Sequence, residues 1–370
     1  MKLRRQYLLM LGLNAAICAY WVYYRSVLNI QILPYPHFLV DYSLGFTKRA
    51  LIGEIFSFWY PRVPISVVFV SATAMLIVAI LLYLLLFRRD FGFSGRSLPL
   101  LVLIAGSPFF FKNFFYNLGY FDALGCIVAI VALLLPVNQL YPALLALGSV
   151  FLVLIHHLLF LLYVPTIGVI CVLRYLVVTR RYNFERLIYL GTCAVLVIGA
   201  FAIVLFHGTP HVPQAVFLAH MKARALDPFS TNFVHVWYST PKEEFRATLK
   251  KLPRNMLAIP AYVLVFLAHW PLIRFYRGRL RAIAGKADYR FAIAGLAVIA
   301  AGYLCIFSMV FDYSRWVSSW AVCMVLMLHA IMRLPSAQAG EFPARHGRDQ
   351  TNAFAWLVTI IPRIGTVSPF

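Results

Sequence analysis

Charge is scarce in this sequence: 12% of its 370 residues are Asp, Glu, Lys or Arg, and only 12 side chains are acidic. A soluble domain is about a quarter charged, so no polar skin exists here to cover the 62% that are hydrophobic. That excludes a water-soluble globule and makes the bilayer the solvent for most of the chain. Cysteine offers no chemistry. Cys18, Cys126, Cys171, Cys193, Cys305 and Cys323 each lie in an apolar segment without a CxxC pair, so neither a zinc site nor a disulfide framework is indicated. HExxH, GxxxxGK[ST] and GxSxG are absent as well. No small-residue cleavage site follows the first apolar stretch after Met1-Lys2-Leu3-Arg4-Arg5. Trp21, Tyr23 and Tyr24 read instead as the interfacial belt of a retained first helix. No repeat of solenoid period is visible, so residues 1–333 read as one membrane domain.

What remains is apolar runs with basic punctuation. The net charge of +21 sits in short clusters between the runs rather than along one face. That is topology rather than nucleic-acid binding. The expected fold class is all-α, a polytopic bundle of about ten spans near 7–25, 64–87, 98–111, 121–137, 140–155, 157–175, 187–207, 255–273, 290–311 and 316–332. Several are short against the roughly 20 residues a bilayer needs, so the pair around Val137 and Pro142 could be re-entrant. Arg88-Arg89, Arg180-Arg181-Arg186 and the run from Arg274 to Arg290 mark cytoplasmic connections. Both termini are then expected in the cytoplasm of a cell whose inner (plasma) membrane the chain crosses. The tail 334–370 is polar apart from a short apolar piece near 353–361 and is expected to be mostly disordered.

Two segments, 26–63 and 207–256, fall on the opposite, outer side. The first carries Asp41-Tyr42-Ser43-Leu44-Gly45-Phe46-Thr47-Lys48-Arg49, then a stretch that puts Leu51, Ile52, Ile55, Phe56 and Trp59 on one helical stripe. That stripe suits a helix on the bilayer surface. The second contains Thr240-Pro241-Lys242-Glu243, a capping box with Pro at the first helical position, which predicts a basic amphipathic helix through Arg246, Lys250, Lys251 and Arg254.

Ionisable groups at membrane depth are functional candidates. Asp41, Glu54, Asp122 and Asp312 lie at or near outer ends of spans, with Lys48 and Arg49, Lys112, and Arg315 nearby in sequence. Asp41 as general base, with Lys48 and Arg49 gripping a phosphate, is the strongest constellation. Its structural alternative is an ion pair that fixes the loop. Asp312 and Arg315 read equally as carboxylate plus phosphate-binding Arg or as a pair pinning a turn. Lys112, Asn117, Tyr120 and Asp122 form a polar, aromatic turn able to bind a sugar, or an ordinary Gly-containing turn. His156 and His157 are adjacent, so on a helix they would diverge and could not share a metal. His207, His211, His220 and His235 lack metal-site spacing.

Around Asp41 to Trp59 the chain resembles the GT-C type of integral membrane glycosyltransferase and the related envelope polysaccharide polymerases. In that superfamily an acidic residue of the first outer loop precedes an amphipathic surface helix. The resemblance implies a polyprenyl-linked sugar donor, a glycan or lipid acceptor, Asp41 as catalytic carboxylate, and Lys48, Arg49 and Arg315 on the carrier phosphate. The chain lacks a DxD or ExD pair, which leaves a divalent metal as an open question and no cofactor assigned. Two other readings stand beside it. A transporter or flippase would place polar groups near the midplane in interrupted helices. A non-enzymatic assembly partner would use the rim charges for protein contacts alone.

Overall fold

The computed structural model describes residues 2–30, 32–309, 312–335 and 348–363. They are helical, with one isolated bridge between Val63 and Ala225. In chain order the helices are α1 (Lys2–Tyr23), α2 (Leu51–Ser57), α3 (Ile65–Phe91), α4 (Leu98–Ala105), α5 (Phe111–Tyr116) and α6 (Asp122–Leu134). There follow α7 (Tyr141–Ile155), α8 (Leu159–Leu162), α9 (Val164–Val172), α10 (Phe184–His207), α11 (Gln214–Arg224) and α12 (His235–Tyr238). The last six are α13 (Pro241–Met256), α14 (Ile259–Leu267), α15 (Trp270–Arg281), α16 (Lys286–Met309), α17 (Tyr313–Ile331) and α18 (Arg348–Ile360).

Among the described residues six helical stretches are long and apolar enough to cross a membrane: Arg4–Leu28, Ile65–Phe91, Leu159–Val178, Phe184–His207, Lys286–Met309 and Tyr313–Ile331. A seventh exists if α14 and α15, bent by 68°, count as one. This is a multi-pass, all-helical architecture, but the expected ten spans are not met. The run 98–111 breaks at Gly106 into α4 and the short α5, and α6 and α7 are each shorter than a bilayer crossing. Apolarity was read correctly there; helix length was not.

The helix ends gather at two rims. At one, Asp90 at the end of α3 meets His329 and Arg333 at the end of α17, while Arg180 meets Asp288 at the start of α16. At the other, segments 24–64 and 208–258 knit into one cap. Val63 N–H donates to the Arg224 carbonyl at 2.8 Å and Lys48 N–H to that of Gly208 at 2.7 Å. The Tyr35 hydroxyl donates to the Val63 carbonyl and accepts from Leu226 N–H at 3.1 Å. Gly53 lets the cap close: a Cβ there would sit 1.9 Å from the Val40 carbonyl oxygen, so only glycine admits the chain that presents Asp41. The capping box forms as read. Thr240 N–H donates to Glu243 Oε2 at 2.8 Å, Glu243 N–H returns to Thr240 Oγ1 at 3.3 Å, and α13 follows.

The tail departs from expectation. Residues 348–360 form α18, which runs beside α1 in the same direction. Tyr7 donates to Asn352, Asn14 Nδ2 donates to Thr359 Oγ1 at 3.3 Å, and Trp21 Nε1 donates to the Pro362 carbonyl at 3.2 Å. An apolar piece too short to span can still bury itself against neighbouring helices, which composition alone does not reveal. The rest of the expected tail, 336–347 and 364–370, lies outside the described residues.

Candidate functional site

The expected site residues fall into three groups at the cap rim. The first is structural. Lys112, fully buried, gives its ammonium protons to the carbonyls of Val358 and Thr359 at 2.8 Å each and Ile361 at 2.9 Å. It thereby closes the end of α18, where unpaired carbonyls and the helix dipole attract a cation. The reading of Lys112 as a sugar contact is corrected by that geometry. Glu54 accepts from Tyr42 N–H at 3.0 Å and so holds the Asp41 loop. Asn117 caps α5 through its Nδ2 on the Asn113 carbonyl at 2.9 Å.

The second group is paired charge. Asp41 Oδ1 accepts from Ser43 N–H at 3.0 Å and Ser43 Oγ at 2.6 Å and lies 3.1 Å from His220 Nε2, while Oδ2 accepts from Arg224. Burial pushes its carboxyl up, yet the bonds from His220 and Ser43 outweigh that and hold it well below the usual carboxylate range. With three polar partners around Oδ1 and Arg224 on Oδ2, Asp41 is a weak base. Residues 220 and 224 are one turn apart on α11 and face Asp41 together. Across the rim, Arg315 grips Asp122 Oδ2 through Nε at 2.9 Å and Nη2 at 2.7 Å, and Asp312 Oδ2 through Nη1 at 3.1 Å. The Tyr120 ring stacks on its guanidinium, 3.7 Å from Cζ. Asp122 is 6% exposed on its side chain and Asp312 34%, so Asp312 is the accessible carboxylate of this set.

The third group is unpaired. Arg49 is buried, its backbone has φ +64°, and its Nε has no partner. Among the described residues no hydrogen bond or ion pair reaches it. A left-handed non-glycine residue carries about 1–3 kcal/mol of strain, and a buried unpaired guanidinium adds desolvation. Three buried nitrogens around it also lack partners: His37 Nδ1, His157 Nδ1 and Trp237 Nε1. The His37 ring lies 5.3 Å from Trp237 and 5.6 Å from His156, and His156 stacks on His157 at 5.7 Å and 8°. Arg49 is within electrostatic reach of all three imidazoles, of Glu244 and of Arg315. Burial, then Arg315, pull its guanidinium down to about 10 against Glu244. The two adjacent histidines do not diverge as a helix would require. α7 stops at Ile155 and His156 is extended (φ −156°, ψ 102°), so the rings stack. Lys48 borders the cluster with its ammonium on the Ser239 carbonyl at 3.0 Å; burial first, then Arg49, bring it down to about 8.

An apolar groove of about 350 Å³ is lined by Tyr42, Phe46, Leu51 and Leu154. Its walls adjoin the unpaired cluster along the chain: Phe46 and Leu51 flank Lys48 and Arg49, and Leu154 precedes His156. No group of three or more His, Cys, Asp or Glu side chains spaced to hold a metal ion occurs among the described residues. Sequence reading missed His37, Trp237 and Arg224; only the one-turn spacing of His220 and Arg224 was there to be noticed. No protein-family model, no curated protein and no solved structure matches this chain.

Proposed function

We propose that this protein is a membrane glycosyltransferase of the GT-C type, moving a sugar from a polyprenyl-phosphate-type carrier to a glycan or lipid acceptor at the extracytoplasmic face. The observation that carries the reading is the buried, strained, unpaired Arg49 within a cluster of partnerless nitrogens. A fold tolerates such a charge when a ligand completes it, and a phosphate offers the acceptor oxygens those donors lack. The adjoining apolar groove suits the isoprenoid chain. Phe58 and Trp59, exposed after α2, suit an outer-leaflet interface. The cytoplasm then lies at the Asp90 rim, with the arginines of the basic connections.

In the transfer, the acceptor hydroxyl attacks the anomeric carbon and the bond from that carbon to the phosphate oxygen breaks. The phosphate leaves with its electron pair, and Arg49 and Lys48 meet the charge it gains. The hydroxyl proton passes to Asp312, the more accessible carboxylate of the pair, while Asp122 and Arg315 fix its position. Asp41 and Arg224 hold the cap over the site.

The test is mass spectrometry of lipid retained by purified protein. Wild type is expected to carry a polyprenyl phosphate or polyprenyl-linked saccharide, Arg49→Met to carry none, and Asp312→Asn to retain the lipid but lose transfer. Equal retention by Arg49→Met would overturn the reading. The transporter alternative rests on the broken α14–α15 span. At that break both ring nitrogens of His269 are engaged, Nδ1 lying 2.7 Å from the Val265 carbonyl and Nε2 2.8 Å from Ser107 Oγ, so its imidazole is not free for a cargo. Flux of lipid across vesicles without covalent product would favour the transporter instead.

A further inference from the structure

We propose that the cluster beneath Arg49 takes up a phosphate group together with a proton, the proton lodging on the imidazoles of His37, His156 and His157. The inference rests on the lipid-phosphate reading and adds to it a change of protonation state. Three imidazoles packed ring to ring, two of them with a buried partnerless nitrogen, are more than a phosphate needs as hydrogen-bond donors. In the empty site the charges facing them are positive. Arg49 and Arg315 face His37 and His156, and Arg49 and Lys48 face His157. Arg315 is largely offset by Asp122 and Asp312, and Arg49 in part by Glu244. The remaining neighbours of His37, namely Phe121, Phe233 and Trp237, are uncharged. Burial first, then Arg49 and Arg315, keep the His37 imidazole well below its ordinary value, so it enters neutral.

A phosphate monoester is close to a dianion above pH 7. Set beside Arg49 it reverses the sign of the local field, and the imidazole next to it gains a proton from solvent. No covalent bond changes apart from the new N–H. The doubly charged head is then met by Arg49 and an imidazolium rather than by Arg49 alone. The same proton is lost when the head departs, so release is favoured as pH rises. The proton is bound only in the complex, so affinity falls with pH between the lowered value of the free imidazole and the raised value of the bound one.

Calorimetric titration of the full-length protein in detergent at pH 7.0, in buffers of different ionisation enthalpy, tests this with farnesyl phosphate and, in a second arm, inorganic phosphate. Lys48, brought down to about 8 in the free protein, titrates in the neighbouring range, so Lys48→Met is titrated alongside to separate its protons. The expected result is uptake of about one proton per farnesyl phosphate and an affinity that drops about tenfold per pH unit just above pH 7. His37→Gln and, independently, His156→Gln should bind with reduced uptake, while Lys48→Met keeps it. Inorganic phosphate should bind at least about tenfold more weakly with the same uptake, since it leaves the groove empty. Equal affinity for the two would assign the site to free phosphate and overturn the lipid reading while supporting the coupling. Binding without proton exchange in any buffer overturns the coupling alone. Absence of binding by either probe overturns both.

Discussion

At the Asp90 rim, Asp90 receives His329 Nδ1 at 2.7 Å and both Nε and Nη2 of Arg333, and Arg333 and Arg89 also donate to the Leu133 carbonyl at the end of α6. Arg180 forks onto both oxygens of Asp288 at 2.7 and 2.8 Å. At the cap rim, no hydrogen bond or ion pair among the described residues reaches Arg49, which Glu244 offsets only from a distance, and His37, His157 and Trp237 each keep a buried nitrogen idle, as His329 Nε2 also does at the Asp90 rim. The contrast separates two uses of charge in an apolar protein. Charge that is paired within the fold is consumed in locking helix ends together. Charge left unpaired at a structural cost is capacity reserved for something that arrives later.

That comparison can be broken most directly at the lock. Asp90→Ala strands a buried His329 and Arg333 and should cost about 3–5 kcal/mol, read as a large fall in Tm by thermal unfolding in detergent. An unchanged Tm would deny that this rim is a lock. Arg49→Met should behave in the opposite sense. Lipid phosphate retention should fall by about 100-fold, as for truncating a buried charge that pairs with its ligand, while Tm of the lipid-free protein holds or rises. A loss of stability as large as that of Asp90→Ala would place Arg49 among the structural charges.

Acid should sharpen the distinction within the cap. Asp41 titrates below its unfolded value of about 3.9, so its contribution is full above that value and drains as pH falls through the folded one. The melting temperature should decline below about pH 6.5, where the buried neutral imidazoles of His37, His156 and His157 resist protonation, and drop again below about pH 4; Asp41→Asn, lower throughout, should lack only the second drop. The smallest effect is at the capping box. Thr240→Ala removes the bond to Glu243 N–H and should cost about 0.5–2 kcal/mol, seen as added hydrogen exchange in the first turn of α13 with retention of lipid unchanged.

Local signals were legible and distant ones were not. The partners of the capping box at Thr240 and of the Asp312–Arg315 pair are three residues apart in sequence and could be read directly. Arg315 also holds Asp122, a partner 193 positions away, and Asp41 is closed by Arg224, 183 positions away. Lys112 was misread for the same reason, since its three carbonyls lie at and just past the end of a helix nearly 250 residues downstream. His156 and His157 were judged by helical spacing, and the helix ended one residue too early for that rule to apply.

Composition and hydropathy by themselves determined an all-helical chain that needs an apolar solvent, because 62% hydrophobic residues cannot be hidden in water. They also determined which connections are basic, because charge avoids the apolar interior. Only the tertiary structure decided which of those charges are spent and which are spare. Pairing depends on distances across the bundle, and a one-dimensional spacing carries no information about contacts between helices hundreds of residues apart.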